Sequence, residues 1–370
     1  MYFLREFWRR HRRKIFVTTG VLGSGYFLYK LYDAHRRSLA DLERQLANER
    51  ENDEIIKAQM QAHFQNIQRI ADTTTLPHAM NFLNSRIAEE LDVGPLTQRL
   101  NREKATLMPS EKLELWERLK TLSFTRMVMS VWAVTMLSLY IRVQVNILGR
   151  HLYIDTARGL GSSDLFDDAD LIDTDNEKKF LSGADFLANY GMPALISDLQ
   201  AAVTEVLKGK QLKDYFNTTV LHETVMQILD MFMSTGNPHH WIDYLMPEDT
   251  RLHKQVTVSD NNSAVSSPVT KFDQLMAETR EVLSSADFAS VSEMSLRAVV
   301  GALMEHMETQ SEGSLKSGIP LARLLSQVAR TSSYLVNEAG KNQFIEIINR
   351  VPEVELFFTL LYANMPTSLA

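Results

Sequence analysis

The stretch from residue 110 to residue 148 contains neither proline nor glycine. Both residue types interrupt helices, so this stretch predicts one long helix, with Ser110 as its N-cap. Only 15 glycines and 10 prolines occur among all 370 residues, and no run alternates as a strand would. The sequence therefore predicts an all-α fold, an elongated bundle of seven to nine helices that includes helices at about 184–207, 210–234 and 341–362.

The second half of that long helix, residues 127–141, carries no charge and lies between Arg126 and Arg142. A transmembrane helix needs about 20 apolar residues, so a run of this length is short for a bilayer. We interpret it as the central core helix of the bundle. A second membrane span is the alternative that the sequence leaves open.

The N-terminus carries a single predicted membrane anchor. Residues 1–14 form a basic tail and residues 15–32 an apolar stretch, of which 15–29 are uncharged. As a helix, 15–32 would measure roughly 27 Å, close to the hydrocarbon thickness of a bilayer. A cleaved secretory signal is the competing interpretation, but no clear A-x-A-like site follows. The predicted division is a tail at 1–14, a transmembrane helix at 15–32 and an all-helical domain at 33–370.

Charge is distributed unevenly between that tail and the rest of the chain. The formal net charge is −7, although the tail itself is strongly basic. The predicted targeting cations are Arg9, Arg10, Arg12, Arg13 and Lys14. An acidic body disfavours general binding to nucleic acid, whereas the tail suits anionic lipid or a targeting receptor.

The patterns that usually mark catalytic or metal sites do not occur. There is no cysteine, so disulfides, thiolate metal sites and a thiol nucleophile are excluded. Neither a phosphate-binding glycine loop nor a hydrolase elbow is present, and His222-Glu223 lacks the second histidine of a zincin. His239 and His240 are interpreted as surface residues. We therefore expect no catalytic residue, cofactor, metal or small-molecule substrate.

Two strings in the long helical segment resemble a known family. KLELWERLKTLSFTR at 112–126 and IRVQVNILGRHLYID at 141–155 are similar to the core of peroxisomal biogenesis factor 3, the peroxin-3 family. HHWIDYLMPED at 239–249 and MAETR at 276–280 agree in order. The likeness extends along nearly the whole chain, but only 112–155 is dense enough to be specific.

The resemblance implies a single-pass protein of the peroxisomal membrane. Its N-terminus would lie in the matrix and its helical domain in the cytosol, opposite to the orientation that the positive-inside rule favours. Such proteins dock the soluble receptor-chaperone peroxisomal biogenesis factor 19, which carries new peroxisomal membrane proteins for insertion. The implied partners are this receptor, through a helix-in-groove contact, and the membrane lipid.

The resemblance also implies a docking site at the start of the long helix. Trp116 and Lys112 match the family's receptor site, and their spacing of four puts them on one helix face. From the residues alone, a half-buried core position for Trp116 is the alternative. Further rim or wall positions are Leu113, Leu119 and Lys120, with Leu107 on the opposite wall.

Two other function classes remain open at this point. One is a membrane-bound enzyme with unfamiliar motifs, which would need a deep pocket of converging titratable groups. The other is an organelle tether or inheritance adaptor without receptor docking. An exposed apolar groove around Trp116 would favour docking over both.

Overall fold

The computed structural model describes residues 68–102, 108–161, 174–237, 239–247, 270–336 and 342–363, with four isolated positions between 58 and 66. The chain divides into two compact units, Met1–His63 and Phe64–Ala370, and the elements below belong to the second. The basic tail, the predicted span and Leu107 lie outside the described residues. Those three therefore remain predictions.

The described residues are almost entirely helical, as the sequence predicts. A π-helical turn at Ala71–Thr75 leads into the first α-helix. The α-helices are α1 Leu76–Glu90, α2 Gly94–Arg102, α3 Pro109–Gly161, α4 Thr174–Leu181, α5 Met192–Val206, α6 Thr218–Ser234, α7 Ile242–Leu245, α8 Lys271–Leu283, α9 Ala286–Gln310, α10 Ser314–Ser317, α11 Leu321–Leu335, α12 Gln343–Asn349 and α13 Pro352–Ala363. A 3₁₀ turn at Ser182–Asp185 and a π-helical turn at Leu187–Gly191 separate α4 from α5.

Helix α3 is the centre of the fold. Every residue from 127 to 150 is buried, and α5, α8, α9, α11 and α13 all pack against it. Among the described residues, α3 is the one helix whose length and hydropathy would suit a membrane span, and its most apolar 18-residue window is entirely buried inside the fold. The structure thus supports the interpretation of residues 127–141 as a core helix, and its apolar surface is covered by protein.

Several buried polar groups on α3 form hydrogen bonds or ion pairs with the segments around it. The hydroxyls of Ser130 and Ser332 lie 2.6 Å apart and share a hydrogen bond between α3 and α11. The side-chain amide of Gln144 donates to the carbonyl of Phe180 at 2.8 Å. The guanidinium of Arg142 pairs with Asp72, in the π-helical turn before α1, at 2.9 Å. These contacts fix how the surrounding helices are placed along α3.

Three details differ from the sequence prediction. Helix α3 begins at Pro109, not after a Ser110 cap, and the backbone N–H of Met108 donates to the Glu111 carboxylate at 3.2 Å. Proline suits this first position because its fixed φ matches the helix and its missing N–H would be unpaired anyway. The segment predicted as one helix at 341–362 is interrupted at residues 350–351. The gap between the helices predicted at 184–207 and 210–234 is longer than expected and covers residues 207–217. The described residues hold eleven α-helices of seven or more residues.

A short β-ladder joins two distant parts of the chain. Strand β1, Tyr215–Phe216, pairs antiparallel with β2, Ile319–Pro320, with Tyr215 opposite Pro320. The ladder continues into loop contacts, because the backbone N–H groups of Leu321 and Ala322 donate to the carbonyls of residues 214 and 212, each at 2.9 Å. The segment between α5 and α6 is thereby fixed to the start of α11.

Candidate functional site

The first three turns of α3 bring the predicted docking residues to one side of the helix. At about 100° per residue, positions 112, 113, 116, 119 and 120 fall within an arc of about 120°. The segment is helical from Pro109, so these positions form one continuous strip. Lys112 and Trp116, predicted to share one face, lie on the same helix side as Leu113, Leu119 and Lys120.

Burial separates these residues into an accessible part and a supporting part. Leu113 is 58% exposed, so most of its side chain is accessible to solvent. Lys112 and Trp116 are half-buried. Leu119 and Lys120 are 7% and 4% exposed, so both lie below the surface. The side chains that a partner could reach directly are thus Lys112, Leu113 and Trp116.

Lys120 is held by internal contacts. Its ammonium donates to the backbone carbonyl of Lys210 at 2.9 Å and pairs with the Glu117 carboxylate at 2.6 Å. A buried ammonium needs such partners because water no longer solvates its charge. Of the two predicted placements of Lys120, rim or wall, the structure therefore agrees with the wall. Lys120 connects α3 to the segment that follows α5.

A pocket of about 690 Å³ opens beside this strip of α3. Leu113, Glu117, Lys120 and Thr121 line one side of it. The other side comes from Thr204 at the end of α5 and from residues 207–213. Sequence reasoning missed this second wall, and Leu107, which it had suggested for the opposite wall, lies outside the described residues.

The missed wall is a defined turn. Gly209 has φ +85°, a conformation that side chains other than glycine rarely adopt, so it ends the course of α5. Gln211 and Asp214 close the turn, since the Gln211 backbone N–H donates to the Asp214 carboxylate at 2.7 Å. The glycine was the available sequence signal, because a helix commonly stops at such a residue. The contact with Lys120, ninety positions away, had no such signal.

Lysine dominates the charge of this pocket. We call residues 208–213, the sequence KGKQLK, the lysine loop. Lys208, Lys210 and Lys213 of this loop line the pocket together with Lys120, and Glu117 is the acidic side chain among the lining residues. The half-buried Lys112 lies one turn before Trp116 and forms no ion pair with a described residue. A positive pocket thus adjoins the apolar side chains of Leu113 and Trp116, on a chain whose total charge is negative.

Comparisons with known proteins identify the family. The Peroxin-3 family model matches residues 6–111 and 103–364. The chain belongs to the peroxin-3 family. Peroxisome biogenesis protein 3-2 of Arabidopsis thaliana is 63% identical over 368 residues, which cover 99% of this chain and 100% of that protein. Peroxisomal biogenesis factor 3 of Homo sapiens is 28% identical, with 98% of each chain covered.

Membership in the peroxin-3 family gives the chain a role in peroxisome biogenesis as a protein of the peroxisomal membrane. Peroxin-3 proteins are biogenesis factors. The structure agrees with the specific part of the resemblance, because the strings at 112–126 and 141–155 both lie on α3. The first string carries the residues predicted for docking, which we call the docking strip (Lys112, Leu113, Trp116, Leu119 and Lys120), and the second continues from the core into the end of the helix.

The string at 239–249, of which the structure describes residues 239–247, packs into the core. Trp241 is 3% exposed and stacks on Phe288, with 5.8 Å between ring centroids. Tyr244 is buried, donates its hydroxyl to Asp198 and packs edge-on against Trp132. Burial and the Asp198 carboxylate raise the pKa of the Tyr244 hydroxyl far above its usual range. Among the described residues, no three His, Asp or Glu side chains come together as metal ligands.

Proposed function

We propose that this protein docks the cytosolic receptor-chaperone peroxisomal biogenesis factor 19 at the peroxisomal membrane. The receptor would arrive with newly made membrane proteins, and its N-terminal helical segment would bind at the start of α3. The helical domain would face the cytosol and the N-terminus the matrix, as the family resemblance implies. Docking would then deliver cargo for insertion.

One observation carries this proposal: an exposed leucine that lines a pocket lies on the same side of α3 as a half-buried tryptophan. Leu113 and Trp116 are three positions apart and face similar directions on α3. Aromatic anchors beside partly exposed apolar residues are typical of surfaces that receive an amphipathic helix. A tryptophan that served only the core would be expected to be as buried as Trp132, which is 0% exposed.

The indole of Trp116 adds a polar feature to this surface. Among the described residues, its ring N–H has no hydrogen-bond acceptor. Trp116 is half-buried, so this N–H could donate to an acceptor on a docked segment. Lys112 could meet a carboxylate of the same segment, since the two side chains lie one turn apart.

The test is a binding titration with the full chain in detergent micelles. The probe is a fluorescent peptide that spans the N-terminal helical segment of the receptor, followed by anisotropy. We expect Trp116→Ala to weaken binding by roughly 30- to 700-fold, because removal of a buried aromatic anchor costs about 2–4 kcal/mol. Leu113→Ala should weaken it less, and Leu356→Ala is the matched control. Leu356 is 59% exposed on α13, against 58% for Leu113.

Thermal unfolding of each variant separates docking from stability. If Trp116→Ala binds as the parent does, the docking site lies elsewhere. If it binds weakly but also melts far below the parent, Trp116 serves the core instead. If the parent itself does not bind the peptide, the receptor proposal fails, and a tether or inheritance adaptor becomes the better interpretation.

A further inference from the structure

The pocket beside the docking strip is strongly positive, and an apolar helix-in-groove contact does not require this charge. Its lining side chains include four lysines and one carboxylate, that of Glu117. The whole chain has the opposite balance, with 46 acidic and 39 basic residues. A concentrated positive charge on an acidic protein attracts negative ligands selectively, because the rest of the surface repels them.

Two of the four lysines are committed to internal contacts. Lys120 is bound to Glu117 and to the carbonyl of Lys210. The ammonium of Lys210 donates to the Thr224 hydroxyl at 2.9 Å and lies 5.4 Å from the centroid of the Phe216 ring. These contacts shape the wall and hold the lysine loop against α3 and α6.

The other two lysines are available to a ligand. Lys213 is exposed and forms no hydrogen bond or ion pair with a described residue. Lys208 lies 3.5 Å from Glu205, but the two side chains are 74% and 60% exposed. Such an exposed pair is weak and easily exchanged for a better partner. The internal contacts thus fix the backbone of the loop, while the ammonium groups of Lys208 and Lys213 stay exposed at its surface, the first in a weak pair with Glu205.

We propose that Lys208 and Lys213 bind carboxylates on the docked helix, and so select a partner segment that is acidic beside its apolar face. The inference rests on the docking function proposed above. A helix with its apolar side on Leu113 and Trp116 would turn a neighbouring face toward the pocket, since Leu113 borders both. Charge complementarity of this kind mainly sets specificity and association rate.

The experiment compares two double variants of the full chain in detergent. The double variant Lys208→Gln, Lys213→Gln removes the two exposed lysine charges of the loop and leaves Lys120 and Lys210 in place. The control is Lys178→Gln with Arg330→Gln, which removes two exposed charges outside the pocket lining. Each protein is titrated with the receptor peptide and with the same peptide whose Asp and Glu are replaced by Asn and Gln.

The lysine-loop variant should bind the parent peptide roughly 3- to 30-fold more weakly at low salt, which is the effect of two partly exposed ion pairs. The control should bind as the parent does. The difference should shrink in high salt, since the Debye length falls from about 10 Å at 0.1 M to about 3 Å at 1 M. The neutralised peptide should bind both double variants equally.

Several outcomes would overturn the inference. Equal affinity of the lysine-loop variant and the parent at low salt would show that the carboxylates bind elsewhere or not at all. Displacement of the peptide by inorganic phosphate, but not by chloride at equal ionic strength, would assign the pocket to a phosphate ligand instead. Failure of the parent to bind any peptide would count against the docking function itself. Binding that depends on Trp116 but not on the two lysines would contradict this inference alone.

Discussion

Gly191 should tolerate no larger side chain, because the backbone of another segment touches it. A Cβ atom added there would lie 2.1 Å from the carbonyl oxygen of Tyr244 and 2.9 Å from its Cα. Real Cβ contacts do not approach so closely, so Gly191→Ala must push the segment around Tyr244 outward. That segment cannot move freely, since Tyr244 is buried and bound to Asp198.

The loss of stability caused by Gly191→Ala depends on whether the new Cβ clashes with backbone or with side-chain atoms. Overpacking of a core costs about 1–3 kcal/mol, and a clash with backbone belongs at the upper end because backbone cannot change rotamer. Gly301, inside α9, offers the opposite case, since a Cβ there meets nothing within 4 Å. Gly301→Ala should therefore stabilise by about 0.5–1 kcal/mol through helix propensity.

Thermal unfolding of the full chain in detergent, followed by tryptophan fluorescence, measures both variants. For a domain of this size the unfolding entropy is about 0.6 kcal/mol/K, so Gly191→Ala should lower Tm by roughly 5 °C. Gly301→Ala should raise it by about 1–2 °C. A Gly191→Ala protein that melts within a degree of the parent would refute the close contact with Tyr244 and the packing role given to that segment.

Two further predictions concern buried charge. Asp72→Asn should destabilise by about 1–2 kcal/mol in chemical unfolding, and by more than Arg142→Met, because only the first leaves a buried guanidinium without its partner; the reverse order would contradict this. Burial lowers the pKa of His306, whose ring lies 4.0 Å from that of Tyr334 between centroids. As the pH falls, the unfolded chain therefore binds the proton before the folded chain does, so the contribution of His306 to the free energy of unfolding is full above pH 6.5 and declines below it. His306→Phe should flatten this decline when unfolding is measured from pH 7 to pH 5. An unchanged slope would assign the decline to other groups.

The long helix was predictable because several local signals agree. Absence of glycine and proline set its length, and the spacing of Arg126 and Arg142 argued against a membrane span. What the sequence could not show is how charged side chains are used inside the fold. Lys120 looks like any surface lysine on an amphipathic turn, yet it is buried and donates to the backbone carbonyl of residue 210, ninety positions away.

The proposed docking site shows the same division between local and long-range information. Its α3 side could be predicted from the string at 112–126, and the five positions predicted on α3 lie on one side of that helix. Its second wall depends on a turn at Gly209 and on the ladder between β1 and β2, which joins positions more than a hundred residues apart. Pairing at that separation leaves no local pattern, so neither the wall nor its lysines could be predicted as part of the site.

The supporting contacts explain why a site at a helix start can be stable without being closed. The start of α3 projects from a core helix that neighbouring helices enclose, so its direction is fixed by the buried turns that follow. Lys120 ties the lysine loop to α3, and the β-ladder and the start of α11 hold the other side of the loop. These contacts hold the two walls of the pocket in place. A preformed opening of this kind lowers the ordering cost of binding, which then falls mainly on the docked segment.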